Sequence, residues 1–350
     1  MISVWAPLAL TAATGGMLAL PLAPAVIEIL RRKDAGPLPT RKDDGDIRNF
    51  ARSFRRYIDP LRFQLAASAQ QGSITEARLP NGCYALIVGA GGVSPLREQR
   101  VETLVMFGKE ISLLDQLTFM QDVYAADVIY GGRNNVFRGL LGESDIYLAE
   151  GSHVLRWLHA QGQVIVQRSS HLHSRCSSEK AVHFSAGCSF QRVFAPLIVT
   201  ARQAQPTFTT EIVVREKPGK PARPLPRSRV HGNLHLGAGE MFLGNIIATG
   251  SIRIDEGTRI FGSAKGNGDV QLGPHTRIEG SLISTGSIRI GANCIIKGPV
   301  LAEHEIIIEP GVRIGSPESP TTISAPRIRM ACDCVTHGTL WARVEGRVEE

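Results

Sequence analysis

A chain of 350 residues with 36 glycines, 20% charged and 6% aromatic residues suits a turn-rich all-β protein better than a helical enzyme, with room for two or three domains or one long solenoid. The formal net charge of +7 favours anionic partners such as lipid, polysaccharide or nucleic acid without choosing among them. Six cysteines (Cys83, Cys176, Cys188, Cys294, Cys332, Cys334) in so long a chain are no disulfide framework, and free thiols are expected.

No charged residue occurs from Met1 to Ile27, and Glu28 is followed by Arg31, Arg32 and Lys33. A run of roughly twenty apolar residues is long enough to cross a bilayer, even with Gly15, Gly16, Pro21 and Pro24 inside it. A secretory signal begins with its positive cluster, whereas here the cluster comes after. A transmembrane anchor over residues 1–30 is therefore expected, with the N-terminus outside and the remainder in the cytoplasm. The alternative is a cleaved signal with a small-residue site near Ala23 to Ala25.

In the juxtamembrane region, residues 31–104, the stretch DIRNFARSFRRYIDPLR places Ile47, Phe50, Ala51, Phe54 and Ile58 on one helical face. Arg48, Arg52, Arg55 and Arg56 lie elsewhere around it. Such a helix either lies in an anionic headgroup layer or packs on the fold with a solvated basic face. Pro60 ends it. The run CYALIVGAGGVSP holds a strand followed by Gly89, Gly91 and Gly92. It lacks the dinucleotide-loop spacing and a following helix, so a turn is expected and no cofactor.

Rows of eighteen then emerge over residues 105–200. From Val128, column one is Val128, Ile146, Val164, Val182; column three is Tyr130, Leu148, Val166, Phe184; column nine is Val136, Val154, Leu172, Phe190; column thirteen is Leu140, Leu158, Cys176, Phe194. A degenerate earlier row starts at Ile111, with Leu113 and Phe119, offset by one residue. Column eleven is Arg138, Arg156, Ser174, Arg192. Coils stack ~4.8 Å apart, so this column is either a ladder bridged by an acidic polymer or lipid headgroups, or a set of separately solvated arginines. His153 and His171 share column eight, with His173 and Cys176 beyond, a weak metal-ligand pattern. Residues 201–230 hold Pro206, Pro218, Pro221, Pro224 and Pro226 among basic residues, and read as a linker or excursion loop, or a ligand for a polyproline reader.

From Leu234 the repeat is stronger: LHLGAGEMFLGNIIATGS, IRIDEGTRIFGSAKGNGD, VQLGPHTRIEGSLISTGS, IRIGANCIIKGPVLAEHE, then IIIEPGVRIG. Column one is Leu234, Ile252, Val270, Ile288, Ile306; column three is Leu236, Ile254, Leu272, Ile290, Ile308; column nine is Phe242, Ile260, Ile278, Ile296, Ile314; column eleven is Gly244, Gly262, Gly280, Gly298. Apolar residues two apart make short strands with one buried face, and a fixed glycine marks a corner of positive φ or close backbone approach. No single row buries its own apolar face, and stacking makes a continuous core, so a parallel β-helix is predicted over both blocks.

These rows, with their I-x-I-x5-I-x-G grammar, and the closing VTHGTLWARVEGRVEE resemble the bactofilin family of polymer-forming bacterial cytoskeletal proteins. Ile328, Met330, Gly338, Leu340 and Ala342 re-enter columns one, three, eleven, thirteen and fifteen after an insertion near Ser316 to Thr322. The resemblance covers residues 230–350. It implies a right-handed triangular β-helix that polymerises end to end without nucleotide. It also implies a scaffolding role, which together with the N-terminal anchor places a self-associating protein at the bacterial inner membrane, with cell-envelope or polysaccharide-synthesis proteins as expected partners and no nucleic acid. The first block is expected to bind a partner or to cover one end of the second.

A polysaccharide-cleaving β-helix enzyme is one alternative, but no clustered carboxylates align in columns. The enzymatic rival is a hexapeptide-type acyltransferase, whose coil has the same length and uses a histidine base. Its strict six-residue pattern is broken here by Ala248, Gly266, Ser284 and Ala302 in column fifteen. Cys332, Cys334 and His337 form a weak metal candidate, one ligand short and without Cys-x-x-Cys spacing.

Overall fold

The computed structural model describes residues 5–22, 45–79, 81–206 and 225–350, in two compact units, residues 1–46 and 47–350. In the first, helix α1 (Trp5–Ala19) gives way to one 3-10 turn, Leu20–Leu22. Pro21 has no amide hydrogen and restricts the residue before it, which stops the α-helix there. Fifteen residues rise about 22 Å against a hydrocarbon core of ~30 Å. Among the described residues no helix is long and apolar enough to cross a membrane, so the spanning helix expected over residues 1–30 is not found among them. Residues 23–30, the small-residue site and the basic cluster from Arg31 to Lys33 lie outside the described residues.

The second unit is a parallel β-helix, each coil laying three short strands on three faces. Column one pairs coil to coil on the first face: Leu234 with Ile252, Ile252 with Val270, Val270 with Ile288, Ile288 with Ile306, and Ile306 with Ile328. Column nine does the same on the second face, from Phe242 through Ile260, Ile278 and Ile296 to Ile314. On the third face Ile246, Ala264, Leu282, Val300, Ile323 and Leu340 form the inward column. These side chains point into one core that runs through both blocks. Strand alternation puts every intervening residue outside.

Two kinds of corner allow the chain to turn this tightly. Column eleven works by close approach: a Cβ on Gly262 would lie 2.0 Å from the Gly244 carbonyl oxygen, and one on Gly298 within 2.7 Å of Gly280 backbone atoms. A second corner has positive φ once per coil, at Gly239, Gly257, His275, Asn293, Gly311 and Asp333, whereas in column eleven only the terminal members Gly244 and Gly338 have it and Gly262, Gly280 and Gly298 do not. Glycine, asparagine, aspartate and histidine tolerate that region best.

The first block begins earlier than expected: Tyr84–Val88, from the run read as a strand and turn, already pairs in parallel with Leu104–Phe107. Its first rows are also corrected. Ile129, not Val128, pairs with Ile146 and with Ile111; Phe137, not Val136, pairs with Val154; and Val193, not Phe194, follows Cys176. Two coils are a residue short, one leading to Ile146 and Val154 and one between Cys176 and Val193, which a fixed stride of eighteen misses. The second block likewise starts at the strand Arg227–Val230. Most of the proline-rich stretch, residues 207–224, lies outside the described residues.

Helices α2 (Asn49–Ile58) and α3 (Arg62–Gln71) lie on the outward side of the third face of the first block. Ala51, Phe54, Ile58, Leu61 and Leu65 bury a second core against Ala85, Ile87, Leu104, Met106, Tyr124, Leu141 and Trp157.

The two blocks join through an antiparallel seam. Strand Ser189–Ala201 ends the first block and pairs with Val335–Val348, which ends the second. Ser189 and Phe190 of the second face meet Arg347 and Gly346 of the first face; Arg192 to Ala195 meet Trp341 to Gly338, third face on third; and Ile198 and Val199 of the first face meet Thr336 and Val335 of the second. Third against third with the other two exchanged is the relation a twofold axis across the stack imposes. The blocks therefore meet by their C-terminal ends, and the second block's N-terminal coil lies farthest from the seam.

Candidate interaction surfaces

The arginines of α2 are spent largely on the solenoid. The Arg55 guanidinium donates to both oxygens of Glu143 at 2.8 and 2.9 Å, and Arg48 meets Glu179 at 3.3 Å. Arg48 also lies 5.3 Å from the Phe194 ring centroid, and Arg175 lies 4.5 Å from that of Phe50. Arg52 donates to Asn49, and Arg56 is exposed. Of the two readings of this helix, the coordinates carry the packing one, because its apolar face is the second core.

Beneath α2, His159 is 2% exposed, with its Nδ1 at 2.9 Å from Ser177 Oγ and its Nε2 at 3.9 Å from Glu179. Burial, reinforced by Arg55, lowers its pKa to about 4 against the pull of Glu179 and Glu143.

The column of Arg138, Arg156 and Arg192 does not form. The strand bulges between Phe137 and Gly139, so Gly139, Trp157, Arg175 and Arg192 are the residues that pair there. Arg138 bonds Gln121. Arg138 and Arg156 both act on Asp122, whose carboxyl burial raises and the two arginines draw back down. Arg192 leaves the set altogether, lying over Trp341 at the seam.

His153 and His171 do stack, with ring centroids 4.7 Å apart, and His153 Nδ1 lies 3.1 Å from His173 Nε2. His171 Nδ1 is 2.7 Å from Ser189 Oγ, and Cys176 points into the core. Among the described residues no group of three or more His, Cys, Asp or Glu is placed to hold a metal.

Cys332, Cys334 and His337 are corrected on the same ground. His337 Nδ1 donates to the Pro196 carbonyl at 2.7 Å across the seam. The Cys334 thiol donates inward to the Glu309 carbonyl and that of Cys332 to the Glu349 carbonyl, each at 3.2 Å. Cys334 also reveals a column missed in the sequence. The residue after several positive-φ corners is small and hydrogen-bonding: Thr258 to the Gly237 carbonyl, Thr276 and Cys294 to that of Gly273, and Cys188 to that of Gln167, while Val312 holds the same place in its coil as a buried apolar residue. Burial pushes Cys188, Cys294 and Cys334 up to about 11, so these thiols are neutral corner donors. The eighteen-residue spacing of Thr258, Thr276 and Cys294 was the available signal.

Among the described residues both N-terminal ends are open: in the first block Gly92–Val93 and Arg100–Val101 pair on one side only, and the second block ends in an unfinished coil. Its strands Arg227–Val230, Leu234–Leu236 and Met241–Leu243 are each paired on one side only among the described residues. Leu234 and Phe242 are half-buried there, while Ile252 and Ile260 in the next coil are 1% and 0% exposed.

Compared with protein-family models, with curated proteins and with solved structures, the chain matches none.

Proposed function

We propose that this chain is a scaffold of bactofilin type, held at the cytoplasmic face of a bacterial inner membrane through its N-terminal segment, where it self-associates through its β-helix and localises cell-envelope partners. The observation that carries this reading is the open terminal coil. A stack whose core and strand edges are unfinished at one end templates another stack. The ladder of apolar columns supports a structural role, since every coil contributes the same core residues. The α1 helix supports attachment: it is apolar on all sides, with Trp5, Leu8, Leu10, Met17 and Leu18 exposed in its own unit. The resemblance to bactofilins rests on the columns themselves.

The test is fractionation of cells producing the full chain or the chain without residues 1–30, followed by sedimentation of each. Membrane recovery of the full chain alone, with assemblies larger than one copy, is the expected result. A full chain that stays in the soluble fraction as single copies removes the reading.

A further inference from the structure

The hairpin at the start of the first block borders a groove that neither core fills. Strands Ile74–Arg78 and Tyr84–Val88 pair antiparallel, and the second of them joins the third face through Leu104–Phe107. Tyr84 has the Arg78 guanidinium 5.8 Å from its ring centroid, yet it is 57% exposed. A cavity lies on each side of it. One, of about 490 Å³, is bounded by Tyr57 of α2, by Asn81 and Cys83 of the hairpin turn, and by Thr103, Asp122 and Arg138 of the coils. The other, of about 660 Å³, has Leu86, Leu96 and Val101 in its walls together with Glu76 and Glu98. Tyr84, Glu102 and Thr103 line both, so the two cavities are halves of one groove. Each is of a size that takes a small ring-shaped ligand.

Asp122 is the group that the fold itself leaves unexplained. Its Oδ1 is sealed from solvent with no hydrogen-bond donor on it. Gly139 makes room for the carboxyl: a Cβ there would lie 2.5 Å from that oxygen and 2.7 Å from the Trp157 indole nitrogen. A carboxylate deprived of donors on one oxygen gains more from a donor on the other than a fully solvated one does. Such a costly group at the wall of a cavity is a ligand contact in waiting.

Charge narrows the ligand. Arg138 donates to Gln121 and, with Arg156, acts on Asp122, while Glu102 accepts from Arg100. An anion in the groove would face Glu76, Glu98 and Glu102, and a cation near Asp122 would face Arg138 and Arg156. What the groove offers beyond these is neutral: the hydroxyls of Tyr57 and Thr103, the amides of Asn81 and Gln121, and an aromatic ring beside aliphatic walls. A ligand with apolar faces and hydroxyl edges answers both kinds of surface.

We propose that this groove binds a neutral saccharide of at least two units, one on either side of Tyr84, with the tyrosine ring against the apolar face of a sugar and Asp122 accepting from a hydroxyl through its second oxygen. This is independent of self-association and of membrane attachment.

The test is saturation-transfer NMR on the full chain in a detergent without a sugar headgroup, with cellobiose, maltose and N,N′-diacetylchitobiose as probes. Glycylglycine and spermidine stand for the rival occupants, a zwitterionic peptide and a polyamine. Cys83 is exposed and part of the wall, so a sugar seated there slows its reaction with a thiol reagent. At least one disaccharide is expected to bind and to slow Cys83 at least threefold. Tyr84→Ala should weaken that binding at least tenfold and Asp122→Asn severalfold, whereas Tyr84→Phe should keep it. Phe63→Ala, at an 85% exposed position on α3, should leave it unchanged. An unchanged far-ultraviolet spectrum checks the folding of each variant, and the Cys83 rate needs no variant at all. No disaccharide signal, a signal without slowing of Cys83, or equal binding by Tyr84→Ala and the parent overturns the proposal. Glycylglycine or spermidine slowing Cys83 where the sugars do not gives the groove to that class and overturns the saccharide.

Discussion

Arg192 and Trp341 face each other across the antiparallel seam, the guanidinium 5.0 Å from the centroid of the indole ring. One comes from the last coil of the first block and the other from the last coil of the second, so their contact marks where two stacks advancing in opposite directions become one core. The seam also contains Gly346 opposite Phe190, where an added Cβ would come within 2.2 Å of the phenyl ring. Gly346→Leu should open the seam at a cost of about 1–3 kcal/mol. Hydrogen exchange checks it: residues 189–199 and 335–347 should lose protection while residues 252–308 keep theirs. Equal protection in variant and parent would mean that the seam absorbs the side chain.

Inward and outward positions on one coil should differ sharply. Ile278 is 0% exposed in the middle of the stack, and Ile278→Ala should lower stability by about 2–5 kcal/mol through lost burial and the cavity it leaves. Ile283, next along the same coil on the outer side and half-buried, should cost less than about 1 kcal/mol as alanine. Urea midpoints for the two variants decide this, and similar losses would contradict the column assignment.

Acidification should loosen the fold through His159. Its folded pKa is lowered to about 4, mainly by burial, while an unfolded imidazole titrates near 6.5. Between those values the unfolded chain holds the extra proton, so stability is full above pH 6.5 and falls as the pH drops towards 4. The contribution is on the order of 3 kcal/mol. His153, His171 and His183, each held down by burial, act in the same direction. His159→Asn should therefore flatten, without abolishing, the dependence of the urea midpoint on pH. A midpoint as steep in pH as the parent's would show that the imidazole is not the group concerned.

Thiol chemistry offers a count. Cys83 is exposed, whereas Cys176, Cys188, Cys294, Cys332 and Cys334 are buried. A thiol reagent should modify one cysteine quickly in the native protein and the others only on unfolding. Cys83→Ser should abolish the fast phase. A second fast thiol would point to an open corner.

The columns were readable because they are local. Leu234, Ile252, Val270, Ile288 and Ile306 recur at one spacing, and a coil of fixed length converts that spacing directly into contact. Where a coil is one residue short, as between Ile129 and Ile146, the same reasoning slipped by one. Column eleven reads as a corner of positive φ or close backbone approach, and it shows close approach at Gly262 and Gly298 and positive φ at Gly244 and Gly338, while the second corner, with positive φ at Gly239, Gly257 and His275, is missed because its residue type varies from coil to coil. The α2 arginines were legible as a basic face and no further, since Glu143 and Glu179 lie far along the chain.

By itself, then, the sequence determined the coil: its length, its three faces, and which side chains turn inward, all properties of residues within one turn of each other. Only the tertiary structure decided that the two stacks meet by their C-terminal ends and that α2 lies across the first block. The physical reason is that an isolated row carries the same apolar pattern whichever neighbour covers it. The winning partner for Val193 or Phe54 is the one whose burial removes the most apolar surface from water once the whole chain is assembled, and no local period records that choice.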